Sequence, residues 1–331
     1  MNDNFWHNKK VLVTGGAGFI GSNLADDLLR CGAKIRLVDN LERGKFEFIK
    51  HIAHEIDFKI LDLRDYNNCI QAVRDVDIVI HLASKVGGIG FYQRYPFEVM
   101  ADNIKIDTNM IQAALRCGVT RFFYASSAHV YPLDLQMSPE CPLIAEDQAY
   151  PADPELSYGW AKLVGEKTLQ FAAQENPDMR ISMARYVGIY GKNQDFQLET
   201  GSVIPVFSHR AILYPEVPFS IWGTGEETRS YCFIDDAIEC TKLMIEQMEK
   251  QNIVGPLNVG RQELTKIKVI ADKIVAISEK HVILEYDKNK KTTIWGQLCD
   301  CSAAKMLLGW EAKTSLEDGL KEAYEDVKTR I

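Results

Sequence analysis

The sequence predicts an α/β fold in which a doubly wound parallel sheet of Rossmann type is joined to a smaller C-terminal α/β domain. Three observations predict it. Short apolar runs at residues 9–14, 34–39, 58–61, 78–82, 121–125 and 180–186 alternate with helical patterns, as a parallel sheet covered on both faces requires. The first run passes directly into glycines at 15, 18 and 21 and then into a helical pattern over 22–30. The second run ends in a carboxylate, Asp39.

Local chemistry justifies each element in turn. The stretch V-L-V-T-G-G-A-G-F-I-G-S, residues 11–22, reads as a buried strand, a tight turn and the start of a helix. A pyrophosphate needs unpaired backbone N–H groups at the positive end of a helix and no Cβ in its way, so Gly15, Gly18, Phe19 and Ile20 are the expected contacts. Asp39, followed by Asn40, can accept hydrogen bonds from the adenosine ribose and repels a 2′-phosphate, so NAD is expected rather than NADP. Arg43 and Lys45 nearby are the features that an NADP site would use instead. Asp62 and Leu63 follow the third run, where the carboxylate can meet the adenine amino group or cap a turn. Leu82 and Ala83 close the fourth run beside the dinucleotide path, since ligands of such sheets collect at the carboxyl ends of the strands.

Beyond these lies K-V-G-G-I-G-F, residues 85–91, opening toward Pro96 and a helix that runs to about Arg116. Glycines this permissive beside a cofactor can wrap a substrate, with Lys85, Gly87 and Gly88 as contacts. After the fifth run come S-S-A-H-V-Y-P at 126–132 and a long loop with Glu146, Asp147, Pro151 and Pro154. A helix over 157–173 then carries Tyr158 and Lys162. Their spacing of four puts both on one helical face, where an ammonium is expected to lower the phenol pKa.

Composition narrows the partners. With 331 residues, 46% hydrophobic and 25% charged, the chain is an ordinary globular protein, long enough for one large domain and a smaller one. A net charge of −8 argues against nucleic acid and anionic membranes, which call for a basic footprint. No apolar run is long enough to span a membrane, and residues 1–10 lack the apolar core of a signal peptide, so a cytoplasmic location is expected. Eight cysteines, including the C-x-C of Cys299 and Cys301, show no paired C-x-x-C clusters. They are expected to be reduced packing residues, and no metal site is expected.

Several motifs together carry a family resemblance. T-G-G-A-G-F-I-G at 14–21, S-S-A-H-V-Y at 126–131, Y-G-W-A-K at 158–162, G-T-G-E-E-T-R-S-Y-C-F-I-D-D at 223–236, L-N-V-G at 257–260 and L-L-G-W at 307–310 follow one another in that order. Over essentially its whole length the chain resembles the extended short-chain dehydrogenase/reductases acting on nucleotide sugars, the NAD-dependent epimerase/dehydratase family. K-V-G-G-I-G-F and the D-L-R of 62–64 most resemble its GDP-mannose 3,5-epimerase and GDP-fucose synthase branch.

The resemblance implies roles residue by residue. Tyr158 would take the sugar hydroxyl proton while hydride passes to NAD, Lys162 would hold the nicotinamide ribose, and Ser127 would bind the reacting oxygen. Arg229 would pair with the substrate diphosphate, to which a guanidinium fork is suited. Residues 1–187, with 228–250 returning to them, would form the NAD-binding domain, and 188–227 with 251–331 the nucleotide-sugar-binding domain. The helices beginning near Pro96 and Ser157 would pair two copies into a homodimer, with Met110, Ala113, Ala114 and Leu115 as apolar surface.

Departures from the family pattern bear on the reaction. His129 stands where relatives place glutamate, cysteine or threonine as a second catalytic group, and Ala128 replaces the aspartate of dehydratases, so elimination is not expected. An ordinary imidazole pKa of about 6.5 suits proton exchange. Ser202, a further substrate contact, stands where 3,5-epimerases and synthases carry lysine or histidine. Gly188 replaces the usual asparagine of R-x-x-N-x-Y-G, and residues 291–300 lack the arginine usual there. The expected activity is an NAD-dependent nucleotide-sugar epimerase working through a transient 4-keto sugar with proton exchange at C3 and/or C5, a GDP-sugar favoured. The alternatives are a 4-epimerase or C4 dehydrogenase/reductase and, in a different class, a non-catalytic dinucleotide-binding module.

Overall fold

The computed structural model describes residues 5–290 and 293–331; the first four residues of the N-terminal segment, and Lys291 and Thr292 of the segment lacking an arginine, lie outside them. Its first six strands are β1 (Lys10–Thr14), β2 (Lys34–Asp39), β3 (Asp57–Ile60), β4 (Ile78–His81), β5 (Arg121–Ser127) and β6 (Arg180–Tyr186). Five shorter or later ones follow: β7 (Ile189–Tyr190), β8 (Phe219–Trp222), β9 (Thr228–Arg229), β10 (Cys232–Phe233) and β11 (Ile253–Val259). A parallel seven-stranded sheet runs in the order β11-β6-β5-β4-β1-β2-β3, the doubly wound α/β architecture that the sequence predicts. The order reverses between β1 and β4, which opens the crevice where such sheets bind ligands.

Helices α1 (Phe19–Arg30), α2 (Tyr66–Val73), α3 (Ile89–Arg94), α4 (Pro96–Arg116), α5 (Ser157–Glu175), α6 (Val203–Leu213) and α7 (Ile234–Gln247) connect and cover the strands. Period-2 side-chain alternation splits each central strand between two cores. Val11 and Val13 pack with Leu24 and Leu28 of α1 and Met244 of α7, whereas Leu12 packs with Met110 of α4 and Leu169 of α5. Met110, Ala113 and Ala114 are therefore spent on the core, which corrects their expected place on a dimer surface. On α4 and α5 the exposed large apolar side chains are Phe97, Trp160, Val164 and Phe171.

A second lobe combines α6 with α8 (Ile267–Ser278), α10 (Leu316–Arg330) and small sheets in which β8 pairs with β13 (Leu284–Asp287), and β9 with β12 (Thr265–Lys266) and β14 (Gly296–Gln297). The boundary expected at residue 251 shifts, because β11 completes the central sheet against β6. Two residues of the family motifs, Tyr131 and Trp310, act as scaffold. Tyr131 donates to Asn258 Oδ1 at 2.5 Å, and Trp310, which follows α9 (Ser302–Leu308), donates from Nε1 to the Asp236 carbonyl at 3.1 Å. Gly188 holds φ +56, and a Cβ there would lie 1.9 Å from the Ser230 carbonyl oxygen, so no asparagine fits in this backbone.

Candidate active site

The dinucleotide turn is built as its glycines require. Gly15 holds φ +67 with its Cα against β4's exit, where a Cβ would stand 3.0 Å from Ala83 N; a Cβ on Gly21 would come within 2.2 Å of Gly15 O. Helix α1 starts at Phe19, so the amides of its first turn, Phe19 and Ile20 among them, have no acceptor within the helix. This cradle of close backbone and unpaired amides fits a pyrophosphate. Leu82 and Ala83 line its far wall, their amides donating to Thr14 Oγ1 at 3.2 and 3.1 Å.

Asp39 lies against the turn. Its carboxylate accepts Ala17 N–H at 3.0 Å and Leu41 N–H at 2.8 Å, and burial raises its pKa against those hydrogen bonds. Of the other adenosine-side candidates, Asp62 takes the turn-capping place also expected of it, its Oδ1 accepting Arg64 N–H at 2.9 Å. Asn40 is exposed and bonded to Glu42. Asp62 is gripped by Arg64, whose Nη2 reaches Oδ2 at 2.7 Å and which holds the carboxyl below its ordinary value. The Leu63 side chain sits in the core. Arg43 donates to Asp195 and to the Val86 carbonyl, and Lys45 stands over the Phe48 and Phe196 rings, so both cations that could read a 2′-phosphate are engaged.

Tyr158 and Lys162 occupy successive turns of α5, both buried, with Lys162 Nζ 5.8 Å from the Tyr158 ring centroid. Helical spacing thus aligns them as expected, but the expected lowering of the phenol pKa is reversed. Burial pushes Tyr158 well above its ordinary value, Tyr92 and Asp107 add to that, and the Ser84 hydroxyl, hydrogen-bonded to the phenol, opposes it. Burial also lowers Lys162, against the pull of Asp107 and Glu166. The β5 exit turns through Ser127, whose Oγ accepts His129 N–H at 3.3 Å. The His129 carbonyl oxygen lies 2.0 Å from where a Cβ on Gly159 would be, so glycine at 159 lets α5 close on this turn.

Three rings meet here. Tyr92 of α3 stacks on Tyr158 with centroids 5.1 Å apart, and His129 stands edge-on to Tyr158 at 5.9 Å and to Tyr92 at 6.3 Å. Desolvation first, and the positive Arg229 second, lower His129 to about 4, well below the ordinary imidazole value expected of it. The Arg229 guanidinium donates to the Thr228 and Ile294 carbonyls at 2.8 and 2.9 Å and forms no ion pair among the described residues. Such a cation can receive a diphosphate.

Other candidates lie outside this group. Lys85 turns its ammonium to Glu98, Glu42 and Asp102 at 2.5, 3.0 and 3.3 Å. A Cβ on Gly87 would strike the Phe91 side chain at 2.5 Å, and Gly88 abuts the backbone of residues 199–201. Ser202 precedes α6 and accepts Gln194 Nε2 at 2.7 Å. The structure adds Tyr92, Ser84 and Asn103, whose Oδ1 accepts the Ser84 hydroxyl at 2.6 Å. Ser84 was legible as the residue that follows Leu82 and Ala83 at the end of the fourth apolar run beside the dinucleotide path, and Tyr92 left a local signal, an aromatic directly after the glycine-rich loop.

A parallel sheet with this glycine turn at its switch point and a Tyr–Lys pair on a covering helix is the framework of an NAD-dependent enzyme. The chain belongs to the NAD-dependent epimerase/dehydratase family, whose model matches residues 11–260. It is 30% identical to the GDP-mannose 3,5-epimerase of Arabidopsis thaliana over 99% of this chain and 85% of that one. A UDP-N-acetyl-alpha-D-glucosaminuronate decarboxylase of Bacillus cytotoxicus is 28% identical, over 96% of this chain and 97% of that one. Among solved structures, the UDP-glucose 4-epimerase of Thermotoga maritima with UDP-glucose superposes with a TM-score of 0.85 at 27% identity, covering 97% of this chain and 99% of that one. NAD is the cofactor of the family, and the cradle at Gly15–Ile20 is shaped for it.

Proposed function

We propose that the protein is a nucleotide-sugar epimerase, a GDP-sugar favoured, that oxidises sugar C4 reversibly, exchanges a proton at C3 and/or C5, and restores the C4 alcohol. Likeness to a GDP-mannose 3,5-epimerase over nearly the whole chain supports the substrate class. The observation that carries the proposal is the neutral His129 imidazole edge-on to Tyr158 at 5.9 Å, within the field of Arg229.

Bound NAD supplies the reversible hydride acceptor at C4. As the phenolate, Tyr158 takes the C4 hydroxyl proton and becomes the neutral phenol, the Lys162 ammonium favours that phenolate before the transfer, and Ser127 holds the reacting oxygen. A ketone at C4 acidifies the neighbouring C–H bonds, and a neutral imidazole is the form able to accept such a proton. Arg229 holds the diphosphate, with residues 188–227 and the part of 251–331 beyond β11 enclosing the nucleotide. Two copies associate through α4 and α5, where Phe97 is 84% and Phe171 59% exposed.

Incubating GDP- and UDP-sugars with the NAD-loaded enzyme in deuterium oxide tests the reaction. Wild type should place deuterium on carbon, Tyr158→Phe should make no NADH, and His129→Ala should form NADH transiently without deuterium uptake. A second reading is a 4-epimerase in which His129 only lines the pocket, supported by the likeness to the Thermotoga enzyme. It takes over if His129→Ala, folded and NAD-bound, epimerises near the wild-type rate.

A further inference from the structure

Three neighbouring strands present polar side chains at one level of the sheet. Parallel register sets Thr14 of β1 opposite His81 of β4, and His81 opposite Tyr124 of β5. All three are buried, and Asp107 of α4, also buried, closes the row. Thr14 Oγ1 is 2.7 Å from His81 Nδ1, His81 Nε2 is 3.1 Å from Asp107 Oδ1, and the Tyr124 hydroxyl donates to Asp107 Oδ2 at 2.6 Å.

The pattern of hydrogen bonds assigns the protons. Because Thr14 Oγ1 already accepts the Leu82 and Ala83 amides, its own hydrogen goes to His81 Nδ1, which leaves the ring hydrogen on Nε2 to be donated to Asp107. Burial lowers the His81 pKa and keeps the ring neutral. Asp107 therefore receives two neutral donors, and its charge is not cancelled by either.

Lys162 Nζ stands 4.7 Å from the centroid of the Tyr124 ring, whose hydroxyl is held by that carboxylate, and the field of Asp107 reaches Lys162. The titratable groups facing it are Tyr158 and Glu166 of α5, Asp107 of α4, His81 of β4 and Tyr124 of β5. Glu166 is already neutralised by Arg185 of β6, Nε to Oε1 at 2.9 Å and Nη2 to Oε2 at 2.7 Å. A buried ammonium needs a counter-charge, and Asp107 is the carboxylate left to supply it.

We propose that Asp107 is the buried counter-charge of Lys162, a positioning residue that holds the side chain as an ammonium and so keeps Tyr158 competent. Its effect on catalysis rests on the proposed Tyr158–Lys162 acid–base pair; the charge pairing itself does not. Removing the carboxylate favours the neutral amine, so Lys162 should lose its proton at lower pH, with at least about a tenfold rise in the neutral-to-charged ratio at a given pH.

The test uses the full chain with carbon-13 at lysine Cε, the Lys162 resonance identified by its loss in Lys162→Arg. Asp107→Asn should move the Lys162 titration down by about one pH unit or more, and Asp107→Glu should restore it. An unmoved titration in an Asp107→Asn protein of unchanged melting temperature and NAD affinity overturns the proposal. Should that variant not fold, carbon-13 at aspartate Cγ in the unaltered protein decides: an ionised Asp107 at neutral pH supports the pairing, and a neutral one overturns it. Tyr158→Phe that still transfers hydride would refute the acid–base assignment alone and leave the Lys162 titration as the measure of the counter-charge.

Discussion

Arg43 Nη2 lies 2.8 Å from Asp195 Oδ2, which ties the loop after β2 to the strap of residues 191–202 leading into α6. The same strap is held to α1 by Asn193 Nδ2 to Ser22 Oγ at 3.0 Å and Asn23 Nδ2 to Lys192 O at 3.0 Å, and to α10 by Arg330 to Gln194 O at 3.0 Å. Arg43→Ala should therefore speed NAD release. Because the pair is partly exposed, the gain should be only about two- to fivefold, within the ~1 kcal/mol of such bridges. Stopped-flow release from Arg43→Ala, Asp195→Ala and the double variant checks this, since additive effects would mean that the two residues do not act together.

His129 makes a pH prediction whose sign is set by its two causes. The imidazole must be neutral to accept a proton, so activity is lost as pH falls through its pKa, about 4 without substrate. Desolvation remains when substrate binds, but a diphosphate on Arg229 cancels the second cause and raises His129. The acid limb of kcat should accordingly lie at higher pH than that of kcat/KM. Coincident limbs would reject the coupling.

Gly188→Asn restores the residue usual in relatives and should nevertheless harm this protein. With φ +56 and Ser230 O 1.9 Å from the added Cβ, the backbone must move. A loss of at least ~2 kcal/mol and a fall in Tm of about 3 °C or more are expected by thermal unfolding. An unchanged Tm would show that the turn relaxes without cost.

Phe97→Glu with Phe171→Glu should convert a dimer to a monomer in light scattering while leaving NAD binding intact. Charge on the α4–α5 surface opposes association and touches no core position. A dimer that persists in the double variant would move the interface elsewhere.

Much of the cofactor side was legible because it depends on local geometry. Glycine at positive φ, a helix starting at the turn and a four-residue spacing on one helix are properties of neighbouring residues: Gly15 holds φ +67, α1 starts at Phe19, and Tyr158 and Lys162 share α5. Lys85 was not legible, since the carboxylates that take up its charge come from the loop after β2 and from α4. Nor was the inward face of α4: Met110 and Ala113 satisfy any amphipathic pattern until the sheet beneath them is known.

The chain order alone determined the doubly wound class, the dinucleotide turn and the pairing of Tyr158 with Lys162, because period, turn chemistry and helical spacing are written in adjacent residues. Only the tertiary structure decided the charge states of that pair and of His129. Desolvation acts through enclosure, and Thr14, His81, Asp107 and Tyr124 meet across three strands and a helix, the first two 67 positions apart in the sequence, so their coupling exists only once the sheet has assembled.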